Sequence, residues 1–247
     1  PRETGMDSAD AIEAARARHI SGSERLAVWL MPILKIVGAA LLLGLLVRTL
    51  LIQPFAIPSS SMAPTLQAGD FMLVDKRAYG WSLASLPIAP GSALSPEEDM
   101  RLFGRHIRHG DVIAFVGPDG RDYVKRVIAR GEDQVELRQG LVLLNGQPLP
   151  CPPDAPGTCR EGLPDGRAHI VQGKAEGPFA NYGPVRVPAG QLFVLGDNRG
   201  RSADSRVRPE DGGLGFVPES RVIGRASRIF LSYDGGLRWN RIGTAVD

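Results

Sequence analysis

A cluster of serines, one lysine in an apolar run and a polar turn have the side chains that nucleophilic catalysis needs. The serines are Ser59, Ser60 and Ser61, in PSSSMAPTL at residues 58–66. The lysine is Lys125, and the polar turn is GDNRGRSADSR at residues 196–206. Covalent catalysis needs a nucleophile, a base that accepts its proton, and donors for the oxyanion. The pattern of residues alone does not choose among the three serines.

Histidine is the usual base for a serine nucleophile, but the sequence does not favour it here. None of the four histidines lies in a recognisable triad motif, so a Ser-His-Asp arrangement is disfavoured. The histidines are His19, His106, His109 and His169. Lysine is the alternative base, and the chain has only four: Lys35, Lys76, Lys125 and Lys174. A lysine acts as a base only when neutral, so its pKa must fall by several units from about 10.4.

Lys125 has the sequence context of a desolvated lysine. It lies in DYVKRV at residues 122–127. In a strand, alternate side chains share a face, so Tyr123, Lys125 and Val127 point one way. Val124, Arg126 and Ile128 then point the other way. The alternative interpretation, an exposed lysine on a surface strand, is the commoner one for a strand lysine in isolation.

The segment before the serines has the length and composition of a membrane helix. Residues 26–52 contain sixteen Leu, Ile and Val residues, interrupted by Lys35 and Arg48. The apolar residues favour insertion by roughly 5–10 kcal/mol, and the two charges oppose it by at most about 5–7 kcal/mol. A buried soluble helix and a cleaved signal peptide are the alternatives, although no small-x-small cleavage pattern follows. The arginines in residues 1–25 predict a cytoplasmic N-terminus, with residues 53–247 outside the cytoplasm.

The rest of the chain reads as a mostly antiparallel β domain. Short runs rich in β-branched residues alternate with Gly, Pro and Asp. The runs are at residues 71–76, 111–116, 122–130, 134–138, 141–146, 191–197 and 221–233. Two stretches interrupt this pattern: a loop or flap at 82–109, and an irregular inserted β subdomain at about 147–187. The catalytic core is then predicted to comprise about 54–146 and 188–247.

Composition narrows the possible partners. The net charge of +2 argues against a nucleic-acid partner.

Cys151 and Cys159 form an even pair in a predicted exported domain, which indicates a disulfide, with two free thiols as the alternative. A zinc site needs three or four ligands, so metal binding by this pair is not expected. No nucleotide, metal or other cofactor is predicted.

Together the three motifs resemble those of bacterial type I signal peptidases, which are membrane-anchored Ser/Lys proteases. The resemblance covers residues 54–80, 110–135 and 190–231. It implies that Ser61, which is followed by Met62, Ala63 and Pro64, is the nucleophile and that Lys125 is the base. It also implies that the Ser59 hydroxyl and the Ser61 backbone N–H form the oxyanion hole. Other roles follow from it: Ser202 orients the lysine, and Asp204 and Arg206 form a structural pair beneath the site.

The same resemblance implies an apolar cleft that accepts Ala-x-Ala sites in preproteins carrying signal peptides. The residues that match its lining are Ile57, Pro58, Met62, Leu66, Tyr123 and Val124.

The chain departs from the pattern of this family in two places. The sequence ARGED at residues 129–133 replaces the family's usual Gly-x-Pro-Gly-Asp, and one membrane span is predicted where some relatives have two.

The resulting prediction is a single-pass protein of the bacterial inner membrane, with its catalytic domain on the periplasmic side. Its expected partners are preproteins and the lipid bilayer. Three alternatives remain open: a specialised Ser-Lys processing peptidase, as in pilin maturation; a self-cleaving repressor protease; and an inactive membrane-tethered binding domain. The membrane segment and the lack of a DNA-binding helix pair argue against the repressor.

Overall fold

The computed structural model describes residues 22–81, 104–175 and 177–246. The predicted N-terminal segment (1–25) and the predicted loop at 82–109 therefore lie largely outside the described residues. The chain divides into two compact units, residues 1–47 and 48–247.

A single long helix, α1, occupies Gly22–Leu50. Its segment Trp29–Leu50 has 22 residues and a mean hydropathy of 2.4. At about 1.5 Å per residue this segment spans roughly 33 Å, enough for a hydrocarbon core of about 30 Å. Among the described residues, it is the one helix long and apolar enough to cross a membrane. The helix ends at Leu50, and Ile52, which we predicted to lie in the membrane segment, begins a strand.

The second unit is built from thirteen strands, all paired antiparallel in the described residues. They are β1 (Ile52–Ala56), β2 (Asp70–Asp75), β3 (Val112–Val116), β4 (Asp122–Arg130), β5 (Gln134–Arg138), β6 (Leu141–Leu144), β7 (Gln147–Pro148), β8 (Thr158–Gly162), β9 (Ala168–Gln172), β10 (Tyr182–Arg186), β11 (Gln191–Leu195), β12 (Val217–Pro218) and β13 (Val222–Ser232). The predicted mostly antiparallel β fold with one N-terminal helix is confirmed.

The largest sheet has seven strands in the order β1-β2-β13-β3-β4-β11-β12. Ile113 pairs with Lys125 and Arg225 pairs with Asp75 in this sheet. Strand β3 is buried throughout, as expected for the continuous apolar run VIAFV at the centre of a sheet. This sheet therefore supplies the rigid support for the residues around Lys125.

The other strands form a four-stranded sheet, β10-β5-β6-β7, and the β8–β9 hairpin. The four-stranded sheet takes strands from both sides of residue 147, where we placed the start of the inserted subdomain. Its apolar side chains pack with residues of the large sheet, such as Val135 and Leu137 with Ile128 and Phe193. A disulfide joins Cys151 and Cys159 next to the β8–β9 hairpin.

Candidate active site

A short turn between β1 and β2 presents Ser61. The Ile57 amide donates to Asp70 O at 2.8 Å, and the Gly69 amide donates to Ile57 O at 2.9 Å, which closes the base of the turn. Met62 and Leu66 follow Ser61 and are buried in the core. These two buried side chains anchor the turn to the core. Ser61 itself remains partly exposed at the edge of the turn.

Lys125 reaches this turn from β4, the neighbour of β3. Its Nζ lies 2.6 Å from Ser61 Oγ and donates a hydrogen bond to it. The residue is only 3% exposed. The two residues are far apart in sequence, so their contact depends on the pairing of the large sheet.

Burial lowers the pKa of Lys125 to about 8. The carboxylates of Asp204 and Asp197 act in the opposite direction and raise this pKa, and Arg206 lowers it. A lysine with a pKa near 8 is neutral in about a tenth of molecules at pH 7, against well under 0.1% for an ordinary lysine. The side chain can therefore accept a proton near neutral pH.

The loop after β11 fixes the backbone around Ser61. The Asn198 amide donates to Ser61 O at 3.0 Å, and Asn198 Nδ2 donates to Ser60 O at 3.2 Å. A Cβ added at Gly196 would overlap Ser61 O and Ser202 Oγ. Glycine is therefore required at position 196 to let the two segments approach.

Ser202 lies in this loop, but the hydrogen bond to Lys125 that the resemblance implied is not formed among the described residues. The Ser202 hydroxyl is buried and has no hydrogen-bond partner there. It packs against the backbone at Gly196. Among the described residues, the side chain of Lys125 donates its one hydrogen bond to Ser61 instead.

Asp204 and Arg206 form a buried ion pair. Arg206 Nε donates to Asp204 Oδ1 at 2.8 Å and Nη2 donates to Oδ2 at 2.9 Å. Asp204 Oδ2 also accepts the amide of Gly196 at 3.1 Å. The pair thus ties the two ends of the loop that carries Ser202.

A second buried pair, between Arg126 and Asp197, was missed from the sequence. Arg126 Nε and Nη2 donate to the two Asp197 oxygens at 2.8 and 2.7 Å. The nearby positive charge of Arg126 holds the pKa of Asp197 below its ordinary value, against the upward effect of burial. Strand alternation places the Arg126 side chain on the face of β4 opposite to Lys125. An arginine that is buried on that face needs a carboxylate partner.

The β8–β9 hairpin contributes a further buried group that sequence reasoning did not identify. Arg199 Nη1 donates to Glu161 Oε2 at 2.9 Å. His169 Nε2 lies 3.4 Å from Glu161 and 3.8 Å from Asp197. Burial, with the nearby charge of Arg126, lowers the pKa of His169 to about 4, so it is neutral at pH 7.

None of the three described histidines lines the groove that holds Ser61. His109 Nε2 is 2.7 Å from Asp133 Oδ2 on another part of the surface. His106 lines a separate cavity, and His19 lies outside the described residues. The geometry of the described residues therefore offers Ser61 a lysine and no histidine.

The Ser61–Lys125 contact lies in a groove of about 680 Å³ between residues 53–59 and 121–125. Of the six residues predicted to line an apolar cleft, five line this groove: Ile57, Pro58, Met62, Tyr123 and Val124. Leu66 does not, because it is fully buried in the core. Arg201 and Ala203 line the groove and were not identified from the sequence.

The chain is similar to known proteins over most of its length. The model of the family described as signal peptidase, peptidase S26, matches residues 30–231. Signal peptidase I of Rickettsia typhi is 32% identical over 210 residues, which are 77% of this chain and 76% of that protein. A probable signal peptidase I-1 of Synechocystis sp. is 32% identical over 214 residues, 83% of this chain and 83% of that protein.

A crystal structure of a signal peptidase I from Enterococcus faecalis matches with 28% sequence identity and a TM-score of 0.32, covering 49% of this chain and 97% of that chain. The resemblance inferred from the three sequence motifs is confirmed by the family match and by the curated relatives. The chain belongs to the signal peptidase family, peptidase S26, and is a serine hydrolase.

Proposed function

We propose that this protein is a membrane-anchored endopeptidase that removes signal peptides from exported preproteins, with Ser61 as nucleophile and Lys125 as general base. The observation that carries the proposal is the 2.6 Å contact between Lys125 Nζ and Ser61 Oγ inside an open groove. Relatives named signal peptidase I, which match more than three quarters of this chain, support the substrate class.

The reaction begins with neutral Lys125, whose lone pair accepts the Ser61 proton as Oγ attacks the scissile carbonyl carbon. The resulting ammonium then donates this proton to the leaving amine as the C–N bond breaks, which leaves an acyl group on Ser61. Lys125, neutral again, takes a proton from water as the water attacks the acyl carbon. Proton transfer by a positioned side chain contributes typically 10²–10⁴-fold to the rate.

The oxyanion is stabilised by the Ser61 backbone N–H and the Ser59 hydroxyl. The Ser61 amide donates to no described residue, so it is available to a substrate oxygen. Ser59 Oγ lies 3.3 Å from Ser61 Oγ at the exposed rim of the groove. Loss of one donor to an oxyanion typically costs about 10²–10³-fold in rate.

The apolar walls of the groove account for a preference for small residues at the −1 and −3 positions. Met62 and Ile57 are almost fully buried and Val124 packs against the core. Because these side chains are packed into the core, they cannot easily move to make room for a bulky substrate side chain. Alanine fits such a shallow surface, in keeping with an Ala-x-Ala site.

The membrane arrangement is a single span by α1, with the catalytic unit on the periplasmic side of the bacterial inner membrane. The basic residues before the helix support a cytoplasmic N-terminus. A disulfide between Cys151 and Cys159 supports an oxidising compartment for the catalytic unit. The groove is then on the side where exported chains emerge.

The test is cleavage of a preprotein with an Ala-x-Ala site by the full chain in detergent. Wild type and the matched controls Ser60→Ala and Lys174→Ala are expected to cleave it at that site. Ser61→Ala and Lys125→Ala are expected to be folded by circular dichroism and inactive. Cleavage that survives Lys125→Ala would overturn the assignment of Lys125 as the base. A folded wild type that cleaves nothing would overturn the proposed peptidase activity.

A further inference from the structure

A second cavity, separate from the groove, is lined by basic residues. It has a volume of about 400 Å³. Its basic residues are Arg77, Arg105, His106, Arg108 and Arg225. No residue lining this cavity also lines the groove around Ser61. A cavity of this size is within the range of small-ligand sites, about 300–1,000 Å³.

The carboxylates in this cavity are already engaged. Asp75 accepts hydrogen bonds from Arg77 Nε at 3.1 Å and Nη2 at 3.2 Å. Asp111 Oδ2 accepts the Tyr79 hydroxyl at 2.8 Å and the Arg108 amide at 3.0 Å. Asp111 Oδ1 lies 3.6 Å from Arg167. Both acids therefore have partners already, and neither forms an ion pair with the other arginines of the cavity among the described residues.

Three guanidinium groups in the cavity have no anionic partner among the described residues. The side chains of Arg105, Arg108 and Arg225 make no ion pair with any residue in 22–81, 104–175 or 177–246. All three residues are exposed. Arginine presents a planar fork of donors that matches phosphate oxygens in pairs. Three such groups around one cavity create a site for a phosphate or phosphodiester.

The position of the cavity points to a lipid as the source of that phosphate. Asp75 pairs with Ile52 on β1, and Arg225 pairs with Asp75 from the other side. Because neighbouring strands lie about 4.8 Å apart, Arg225 is roughly 10 Å from Ile52. The apolar segment of α1 ends two residues before Ile52, at Leu50. The cavity is thus close to the end of the proposed membrane span, on which this inference rests.

Two hydrogen bonds hold the cavity wall at this point. The Lys76 amide donates to Leu51 O at 3.0 Å, and Trp81 Nε1 donates to Leu50 O at 2.7 Å. Arg77 and Tyr79 of the cavity lie between these two anchors in the chain. The wall cannot move far from the end of the helix without breaking them.

We propose that the arginine cavity binds the phosphodiester headgroup of an anionic phospholipid. Binding fixes the second unit at the level of the headgroups. The site is independent of the proposed catalytic residues, and a lipid that occupies it stays bound while the groove is empty.

The test uses the full chain in a non-ionic detergent and native mass spectrometry to count bound ligands. The probes are dihexanoylphosphatidylglycerol, dihexanoylphosphatidylcholine and inorganic phosphate. The test variant is Arg105→Gln/Arg225→Gln. The matched control is Arg160→Gln/Arg186→Gln, which removes the same charge from exposed arginines on the smaller sheets.

Wild type and control are expected to bind one phosphatidylglycerol, at least tenfold more tightly than either other probe. The test variant is expected to lose affinity by tenfold or more, since it removes two guanidinium groups that can donate charge-assisted hydrogen bonds to the phosphate. Equal binding by test variant and control would overturn the site. Inorganic phosphate that binds as tightly as the lipid would overturn the lipid headgroup as its ligand.

Cleavage of a preprotein in the same detergent separates this inference from the proposed function. The test variant is expected to cleave at the wild-type rate, because none of its changed residues touches the groove. Loss of cleavage together with loss of lipid binding would show that the two sites are not independent, and would overturn that part of the proposal.

Discussion

Lys76 and Lys125 are both buried lysines, but their surroundings differ. Burial lowers the pKa of each to about 8. Lys76 Nζ is 3.4 Å from the carbonyl of Thr49, and the charge of Arg48 lowers its pKa further. Lys125 Nζ is 2.6 Å from a serine hydroxyl, and two carboxylates partly offset the effect of burial.

A lowered pKa does not by itself make a lysine a catalytic base. Desolvation produces a readily deprotonated lysine both just after β2 and on β4 of the large sheet. Only at Lys125 does the structure bring a serine hydroxyl within hydrogen-bond distance of that amine among the described residues. Proximity to a nucleophile, rather than basicity, therefore distinguishes the two sites.

The largest expected effect is on catalysis when each lysine is replaced in turn. Lys125→Met is expected to lower kcat by about 10³-fold or more, because it removes the proton acceptor. Lys76→Met is expected to change kcat by less than about threefold, since its amine donates to the carbonyl of Thr49, which does not line the groove. Rates of preprotein cleavage, with folding checked by circular dichroism, measure the difference.

The distinction between the two lysines would be wrong if the two variants lost activity equally while both remained folded. Lys125 would then have no role that Lys76 lacks.

A smaller effect is expected in the pH dependence of cleavage. Lys125 must be neutral to accept a proton, so kcat/KM should rise with pH and level off above about 8. Below that value the rate should fall about tenfold per pH unit. Lys76→Met should leave this acid limb where it is, although Lys76 has a similar pKa.

Cleavage rates measured from pH 5 to pH 10 test this. If the acid limb shifts in Lys76→Met, then the titration of Lys76 contributes to it and its assignment to Lys125 alone is wrong. A flat profile would exclude both lysines as the titrating base.

Stability should depend on both lysines in the same direction. In the unfolded chain each binds a proton below about 10.4, and in the folded protein each binds one only below about 8. The unfolded state therefore binds more protons between these values, so stability should rise as pH rises from about 8 to 10.4 and be constant below about 8. The slope is about 1.4 kcal/mol per pH unit for each lysine.

Denaturant unfolding at pH 7, 9 and 10 measures this slope. Either single Lys→Met substitution should remove about half of it, and a slope that is unchanged in both would show that neither lysine has a lowered pKa.

The smallest effect should come from a neighbouring charge. Asp204 raises the pKa of Lys125, so Asp204→Asn is expected to move the acid limb of the cleavage profile to lower pH. Asp154→Asn removes the same charge from an exposed pair and should not move it. Asp204→Asn also leaves Arg206 buried without its partner, which typically costs about 3–5 kcal/mol of stability.

The profile should be read under conditions in which the variant is folded. A limb that moves to higher pH would contradict the assigned electrostatics.

The main secondary-structure elements of this protein and its candidate catalytic residues could be predicted from the sequence. The apolar run before residue 51 has the length and composition of a membrane helix, and the later runs are rich in the β-branched residues typical of strands. The structure places a helix and strands there. Lys125 and the three serines were recognisable because a few residue types at fixed spacings are enough to mark them.

Tertiary structure alone decided the short strands and the buried charges. Strands β1, β8 and β10 contain Pro, Gly or charged residues and show little periodicity, so their conformation depends on pairing with neighbours. Arg126 meets Asp197 from 71 residues away, and Arg199 meets Glu161 from 38 residues away. Which charges are buried together depends on how distant segments pack, and local sequence does not record that packing.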